Sequence, residues 1–255
     1  MDGFTKTRAD APPGFFAAEA AGLRWLAEAQ GVGIVRVHDV DEHRIVLEHI
    51  RTTRPDAASA RAFGAGLAVM HDAGAVAFGA PPPGWSGPNF IGRREQPSAQ
   101  ESSWGAFYAR DRVLYFVEQA LRTGGLTAAQ AGVVRAACEP IAAGVFDDDD
   151  PPARIHGDLW AGNVLWSPEG VVLIDPAAHG GHRETDLAML ALFGCPFLEQ
   201  VYEGYEGQRA LRPGWRARIP LHQLHPLAVH AVGHGPAYGS ALADAARETL
   251  ALAGS

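Results

Sequence analysis

The stretch that most constrains this chain lies between Ile155 and Asp175. It reads IHGDLWAGNVLW from Ile155 and continues, after a turn at 167–170, as VVLIDP through Asp175. Asn163 follows Asp158 by five residues, and Asp175 comes directly after an apolar strand predicted over 171–174. Asp158 would accept or orient the proton of an attacking hydroxyl, while Asn163 and Asp175 would hold a hard cation through oxygen ligands. This spacing is typical of phosphoryl transfer from a magnesium nucleotide. The alternative is a polar turn between two core strands, with its carboxylates in water.

Bulk composition limits the classes of function. The chain has 255 residues, a formal net charge of −8 and no basic cluster, which disfavours a nucleic-acid partner. No apolar run has the length of a signal-peptide core or a transmembrane helix, so no membrane role is expected and the cytoplasm is the predicted location. Cys138 and Cys195 are the only cysteines, and we expect reduced, packed thiols. The sequence gives no indication of oligomeric state.

The first fifty residues predict a small sheet with one helix. A strand over 4–7 carries Lys6, a helix over 15–30 carries Glu19 near its start, and strands are predicted over 34–40 and 44–50. A strand lysine paired with a glutamate on the next helix is the ion pair with which kinases hold nucleotide phosphates. Taken alone, an ordinary surface lysine and helix glutamate would give the same pattern.

Most of the remaining chain has helical periodicity. Helices are predicted over 56–73, 103–122, 127–143, 197–204, 215–233 and 239–253, with breaks at Pro220 and Pro226. The Pro- and Gly-rich segment 79–94 predicts an irregular loop bordering the substrate side. Trp85, Asn89 and Phe90 could contact a sugar from it, but packing within the loop is the favoured interpretation. The acidic run 147–150 predicts a solvated loop. The histidines between 222 and 234 predict packing or polar contacts rather than zinc binding, because no nearby carboxylate completes a ligand set.

Two segments carry a family resemblance. HGDLWAGNVLW and IDPAAHGGHRETDLAML resemble the fructosamine (ketosamine) kinase family, within the wider aminoglycoside-phosphotransferase-like and protein-kinase-like group. The Leu-Trp pair after Asp158 favours fructosamine kinases over antibiotic kinases. The resemblance implies an α+β, bilobal, protein-kinase-like fold. Residues 1–50 would form a small antiparallel-sheet lobe that binds nucleotide, and residues 51–255 a mainly helical large lobe with the catalytic loop and acceptor site.

The resemblance also implies an activity. ATP and Mg²⁺ would serve a kinase that phosphorylates a sugar hydroxyl of a small-molecule ketosamine or glycated amine, which would destabilise the adduct and support deglycation. One alternative is a kinase for another small hydroxyl acceptor, aminoglycoside-like or choline-like. Another is a pseudokinase or binding protein that has lost turnover.

Further site residues follow from the resemblance. It makes Lys6 and Glu19 the phosphate-binding pair and implies that backbone groups of Glu48 and Ile50 bind the adenine edge. His156 and Asp186 would support the catalytic loop. Trp160, His182 and Glu184 are candidates for the acceptor site, and the last two could instead brace the loop.

One departure concerns the start of the sequence. Relatives place a glycine-rich β-hairpin before the lysine strand, whereas this sequence begins at that strand and has no GxGxxG before Lys6. We therefore expect a small lobe that is incomplete at its N-terminal side, with weakened nucleotide affinity and turnover. A start codon further upstream and a truncated or degenerate relative are both compatible with this expectation.

Overall fold

The computed structural model describes residues 3–254. Its first elements are β1 (Gly3–Thr7), α1 (Phe15–Glu28), β2 (Gly33–Ile34), β3 (Val37–Val40), β4 (Arg44–Glu48), α2 (Ala57–Asp72), β5 (Asn89–Ile91) and β6 (Arg94–Gln96). There follow α3 (Trp104–Phe107), a π-helical segment (Tyr108–Leu114), α4 (Tyr115–Thr123), α5 (Ala128–Ala142), β7 (Ala153–Ile155), β8 (Val164–Ser167), β9 (Gly170–Leu173) and β10 (His179–Gly181). The chain ends with α6 (Arg183–Phe193), α7 (Leu198–Gln208), α8 (Ile219–Gly233) and α9 (Pro236–Ala253).

The small lobe is a three-stranded antiparallel sheet covered by one helix. The strand order is β1-β4-β3, and Lys6 on β1 lies opposite Ile45 on β4. Phe16 and Leu23 on α1 are buried against Ile45 and Leu47, which lie on one face of β4. The predicted lysine strand and glutamate helix are therefore present, and the predicted α+β bilobal arrangement is confirmed.

The single strand predicted over 34–40 is wrong. Gly33–Ile34 pairs in parallel with β9, while Val37–Val40 pairs with β4, so the chain changes sheets between them. The Val35 N–H donates to the Leu173 carbonyl at 3.1 Å, and the Arg36 carbonyl accepts from the Glu48 N–H at 2.8 Å. This exchange ties the small lobe to the β8–β9 hairpin that precedes Asp175.

The segment 79–94 was predicted to be an irregular loop, but part of it is regular. Asn89–Ile91 and Arg94–Gln96 form an antiparallel hairpin, with Asn89 opposite Gln96. The connection has only two residues, and Gly92 at its first position has φ +53°, a left-handed conformation that glycine adopts without strain. The hairpin fixes the positions of side chains that a flexible loop would leave mobile.

The large lobe has two apolar clusters. One joins α4, α5, α8 and α9, and the other packs α2 and α7 around the β8–β9 hairpin. Cys138 is a buried free thiol in the first, and Cys195 is free and partly buried beside the second. Within residues 3–254, no helix has the length and apolar character needed to cross a membrane.

The predicted helix break at Pro226 is wrong, because α8 continues through it, whereas Pro220 lies where a 3₁₀ segment (Trp215–Arg218) gives way to α8. Pro220 lies in the first turn, where its missing N–H costs nothing. Pro226 lies inside the helix and cannot bond the carbonyl of His222. The Tyr108 hydroxyl, from the π-helical segment, replaces that bond by donating to the His222 carbonyl at 2.8 Å and accepting from the His225 N–H at 3.1 Å.

The prediction that the acidic run 147–150 is a solvated loop is also wrong. Asp147 accepts from the Ser103 hydroxyl at 2.7 Å, and Asp150 accepts from Arg183 Nε at 2.9 Å. Only Asp149 of the four is exposed. The run therefore anchors helices on both sides of it.

Replacing Tyr108 with Phe tests the role of its hydroxyl at Pro226. The variant leaves the His225 N–H and the His222 carbonyl without their buried partner, and we expect the free energy of unfolding to fall by roughly 1–3 kcal/mol. Urea denaturation measures it. Tyr115→Phe is the matched control, because no hydrogen bond of the Tyr115 hydroxyl occurs within residues 3–254. Equal stability of the two variants would contradict the assignment.

Candidate active site

A buried carboxylate holds the loop that carries Asp158. Asp186 lies in the first turn of α6 and accepts the backbone N–H groups of His156 at 2.7 Å and Gly157 at 2.9 Å. It also bonds His71 Nε2 at 3.0 Å, while His71 Nδ1 lies 2.8 Å from the Tyr205 hydroxyl. Burial alone would raise the pKa of Asp186, but the hydrogen bonds and positive potential of these partners hold that pKa below its usual value.

His156 links the loop to the end of β9. Its Nε2 bonds the Ile174 carbonyl at 2.9 Å, and its Nδ1 accepts the Asp158 N–H at 3.2 Å. Burial lowers the pKa of this imidazole, so it stays neutral and donates only through Nε2. Gly157 is required between them, because it has φ +79° and a Cβ there would meet the Ala177 carbonyl oxygen at 2.4 Å. The loop is thus fixed relative to Asp175.

Asn163 connects the two acidic positions. Its Nδ2 donates to the Asp158 carbonyl at 2.8 Å and lies 3.3 Å from Asp158 Oδ2 and 3.4 Å from the Asp175 carbonyl. Asn163 Oδ1 has no hydrogen-bond partner among the described residues. Burial above all, together with the negative charges of Asp175 and Asp186, raises the pKa of Asp158 to about 7 despite the bond from Asn163.

The N-terminal ion pair reaches the same place. Lys6 Nζ lies 2.9 Å from both carboxylate oxygens of Glu19 and 2.8 Å from Asp175 Oδ1. Burial would lower the pKa of Lys6, but the charges of both carboxylates raise it, so the ammonium persists at neutral pH. Asp175 has φ +56°, a left-handed conformation that aspartate tolerates better than most residues. Lys6 is also the only lysine in the sequence.

These groups line one cleft of about 450 Å³. It contains the predicted residues Lys6, Glu19, Asp158, Trp160, Asn163 and Asp175. His156 and Asp186 lie behind it and hold its loop. Trp160 is 42% exposed and approaches Phe193 edge to face, with ring centroids 6.3 Å apart.

Sequence reasoning missed several residues of the cleft. Arg8 and Arg93 line it although no local motif marks them. Asn89 and Phe90 line it as well, so these two residues do not merely pack within the loop, which was the favoured of the two interpretations. The β5–β6 hairpin positions Asn89 and Phe90 at the cleft. It depends on a turn at Gly92, which the sequence does not distinguish from the other glycines of a Pro- and Gly-rich segment.

Besides His156 and Asp186, four predicted residues lie outside this lining, namely Glu48, Ile50, His182 and Glu184. Glu48 ends β4 opposite Gly3, and Ile50 packs partly buried against the small-lobe core, where the chain passes towards α2. His182 begins α6, and its Nδ1 accepts the Glu184 N–H at 3.2 Å. The adenine-binding role of Glu48 and Ile50 remains a prediction.

His182 and Glu184 contact side chains of the large lobe rather than the cleft. Both are buried, and Glu184 accepts from Arg218 Nε at 2.9 Å and Nη2 at 2.5 Å. His182 stacks on His222, with ring centroids 4.9 Å apart. The expectation that no carboxylate lies near these histidines is wrong, because Glu184 Oε2 is 3.4 Å from His222 Nε2. Arg218 occupies both oxygens of that carboxylate.

The donor set of the cleft fits a hard cation. Asn163 Oδ1 and the half-exposed Asp175 carboxylate are oxygen atoms of the lining that could serve as ligands, because Asn163 donates only through its nitrogen. Oxygen ligands of this kind suit Mg²⁺, whereas the described residues of the cleft include no cysteine or histidine that would favour a softer metal.

Asp158→Asn is expected to raise the free energy of unfolding at about pH 8, because it removes a charge that burial disfavours. The pKa of Asp158 is about 7 when folded and near 3.8 when unfolded, so protonation stabilises the fold at acidic pH and this stability is lost as pH rises through 7. In urea unfolding, the variant's free energy of unfolding should exceed that of the unmodified chain at about pH 8. This difference should be smaller by roughly 1–2 kcal/mol at about pH 5.5.

The matched control is Asp149→Asn, which changes an exposed carboxylate. Its effect on stability should differ little between the two pH values. If Asp158→Asn behaved in the same way, Asp158 would not have a raised pKa.

Comparisons with known proteins identify the family. The sequence profile described as "Fructosamine kinase" matches residues 2–251. A "probable ketoamine kinase" of Synechocystis is 34% identical over 242 residues, which cover 92% of this chain and 77% of that protein. The crystal structure of a "putative fructosamine-3-kinase" from Thermobifida fusca superposes with a TM-score of 0.91 at 45% identity, covering 98% of this chain and 85% of the other.

More distant structures share the fold. An aminoglycoside phosphotransferase mutant, in a ternary complex with ADP and hygromycin B, superposes with a TM-score of 0.61 at 15% identity, covering 98% of this chain and 84% of the other. The chain therefore belongs to the fructosamine kinase family, and its bilobal α+β fold is that of the protein-kinase-like group.

Proposed function

We propose that this small-molecule kinase transfers the terminal phosphoryl group of ATP to a sugar hydroxyl of a ketosamine. The observation that supports it most is the convergence of Asp158, Asn163 and the Lys6–Glu19–Asp175 ion cluster in one cleft of a fructosamine kinase family member. The names of the relatives, ketoamine kinase and fructosamine-3-kinase, support the acceptor class.

Asp158 acts as the base in this proposal. Its carboxylate accepts the hydroxyl proton while the hydroxyl oxygen bonds to phosphorus and the bond between that phosphorus and the bridging oxygen of ADP breaks. A pKa of about 7 suits the task, since the carboxylate is ionised in a large fraction of molecules at neutral pH and can still hold the proton. The loop geometry fixed by Asp186 and His156 keeps it in place.

The remaining groups bind and orient. Lys6, held by Glu19, would contact nucleotide phosphates, and Asn163 Oδ1 and Asp175 would hold Mg²⁺. Mg²⁺, when bound, supplies neutralisation of phosphate charge. The Lys6–Asp175 contact of 2.8 Å must lengthen or be shared when Asp175 binds the cation. Backbone groups of Glu48 and Ile50 would bind the adenine edge, and Trp160 would contact the sugar from the cleft mouth.

The experiment that tests this function measures phosphorylated product from fructosyl-lysine, ATP and Mg²⁺ by phosphorus NMR. We expect acceptor-dependent product, and we expect Asp158→Asn to lower the rate by about 10²–10⁴-fold because it removes the base. Aminoglycoside and choline acceptors run in parallel. Product only from those acceptors would replace the ketosamine with another class, and full activity of Asp158→Asn would remove Asp158 as the base.

Asp175→Asn tests the cation site. Asparagine tolerates the left-handed backbone of this position but lacks the charge, so we expect the Mg²⁺-dependent gain in ADP affinity to fall about tenfold or more. Calorimetric titration of ADP with and without Mg²⁺ measures it, with Asp149→Asn as the exposed control. A gain in Asp175→Asn equal to that of the unmodified chain would contradict the assignment.

A further inference from the structure

Two arginines line the cleft beside Lys6, and no buried carboxylate neutralises either of them. Arg8 pairs through Nε with Asp10 at 3.2 Å, but the Asp10 side chain is 82% exposed. Neither terminal nitrogen of Arg8 has a hydrogen bond within residues 3–254. Arg93 is exposed and has no hydrogen bond or ion pair in the part of the chain that the structure describes. The phosphoryl transfer proposed above gives neither arginine a role.

The register of β1 places Arg8 beyond Lys6, on the side away from the predicted adenine edge. Gly3 lies opposite Glu48 at one end of the strand, and the Arg8 N–H donates to the His43 carbonyl at 3.0 Å at the other end. A strand rises about 3.3 Å per residue and alternate side chains share a face, so Arg8 follows Lys6 by about 6.6 Å on the same face. The strand therefore runs from the adenine edge past the phosphate-binding lysine to Arg8.

Aromatic contacts join Arg8 to the β5–β6 hairpin, whose two-residue turn carries Arg93. The Arg8 guanidinium carbon lies 4.9 Å from the centroid of the Phe15 ring, and that ring packs edge to face on Phe90, with centroids 5.2 Å apart. The hydrogen bond and charge of Arg8 hold the pKa of Asp10 below its usual value, and the charge of Arg93 lowers this pKa further. The two guanidinium groups thus lie on the same side of the cleft, near enough to act on one carboxylate.

The unpaired groups of these side chains are all donors. Asn89 also lines the cleft, and its Oδ1 accepts the Phe90 N–H at 3.0 Å, so its unpaired atom is Nδ2. The carboxylates of Glu19 and Asp175 are already paired with Lys6. A neutral hydroxyl would leave the two guanidinium charges uncompensated. A carboxylate or phosphoryl group instead accepts from several donors and supplies the opposite charge.

We propose that Arg8 and Arg93 form an anion-binding subsite at the end of the cleft where the phosphoryl group meets its acceptor. The inference rests on the proposed function, in that both candidate anions belong to its substrates. They are the terminal phosphoryl group of ATP and a carboxylate on the amine part of the ketosamine. Arginine suits either anion, because its planar group can donate two parallel hydrogen bonds to a carboxylate or a phosphate. Both arginines belong to the lining of the cleft, so a bound substrate reaches them.

Arg93→Gln and Arg8→Gln test the subsite by removing one positive charge each. In the first arm, ADP and a non-hydrolysable ATP analogue, AMP-PNP, are titrated calorimetrically into the chain in the presence of Mg²⁺. If the anion is the terminal phosphoryl group, both variants should lower the affinity for AMP-PNP about tenfold or more relative to that for ADP. Because Arg93 is exposed and unpaired, its replacement should leave the melting temperature unchanged.

The second arm compares two ketosamines that differ in charge. Fructosyl-glycine carries a carboxylate, which fructosyl-glycinamide replaces with a neutral amide. Both are titrated into the chain loaded with ADP and Mg²⁺. If the anion is the carboxylate of the acceptor, the unmodified chain should prefer fructosyl-glycine, and both variants should lower that preference about tenfold or more.

Arg122→Gln is the matched control. Arg122 is exposed on α4, does not line the cleft and has no ion pair within residues 3–254. Its replacement makes the same change to the net charge of −8, so it separates local binding of an anion from its general attraction to the chain. The control should leave the affinities of both arms unchanged.

The inference stands if both cleft variants lose affinity in one arm, and that arm identifies the anion. It is overturned if no arm shows a loss in both variants beyond that of Arg122→Gln. If neither ketosamine binds, the nucleotide arm decides alone. Phosphorylated product formed with unchanged preferences would remove the subsite and leave the proposed function. A subsite shown with AMP-PNP in a chain that phosphorylates no ketosamine would do the reverse.

Discussion

The active-site geometry depends on one buried carboxylate and the three hydrogen bonds it accepts. Asp186 holds two successive backbone N–H groups of the catalytic loop and the ring of His71, so the loop cannot shift without leaving a buried charge unpaired. Gly157 permits the tight turn this requires, and His156 carries the constraint to the strand end before Asp175. Asp186 and His156 thus fix the catalytic loop relative to α6 and to the β8–β9 hairpin.

The cleft concentrates negative charge around Lys6, and Arg8 and Arg93 also lie in its lining. Asp158, Glu19 and Asp175 all lie on its walls, and Lys6 is the only lysine in the chain. Burial and mutual repulsion raise the pKa values of Asp158 and Glu19, while Asp175 adopts a left-handed backbone. These features cost stability, and such costs cluster at functional sites. They are consistent with a site completed by a cation and a phosphorylated ligand.

The parts of this structure that sequence predicted are those set by local spacing. The distances along the chain between Asp158, Asn163 and Asp175, and between Lys6 and Glu19, are enough to place them on a loop, a strand and a helix. Non-local partners decided the rest. The segment 34–40 divides because two different sheets offer hydrogen bonds, and the helix through Pro226 continues because a distant tyrosine hydroxyl replaces the missing bond. No local pattern contains that information.

The most direct measurement of this account is a crystal structure with ADP, Mg²⁺ and a fructosyl-amine bound together. We expect Mg²⁺ on Asn163 and Asp175 with oxygen distances of about 2.0–2.1 Å, and one sugar hydroxyl within hydrogen-bond reach of Asp158. A cation bound elsewhere, or a sugar whose hydroxyls all lie out of reach of Asp158, would contradict it.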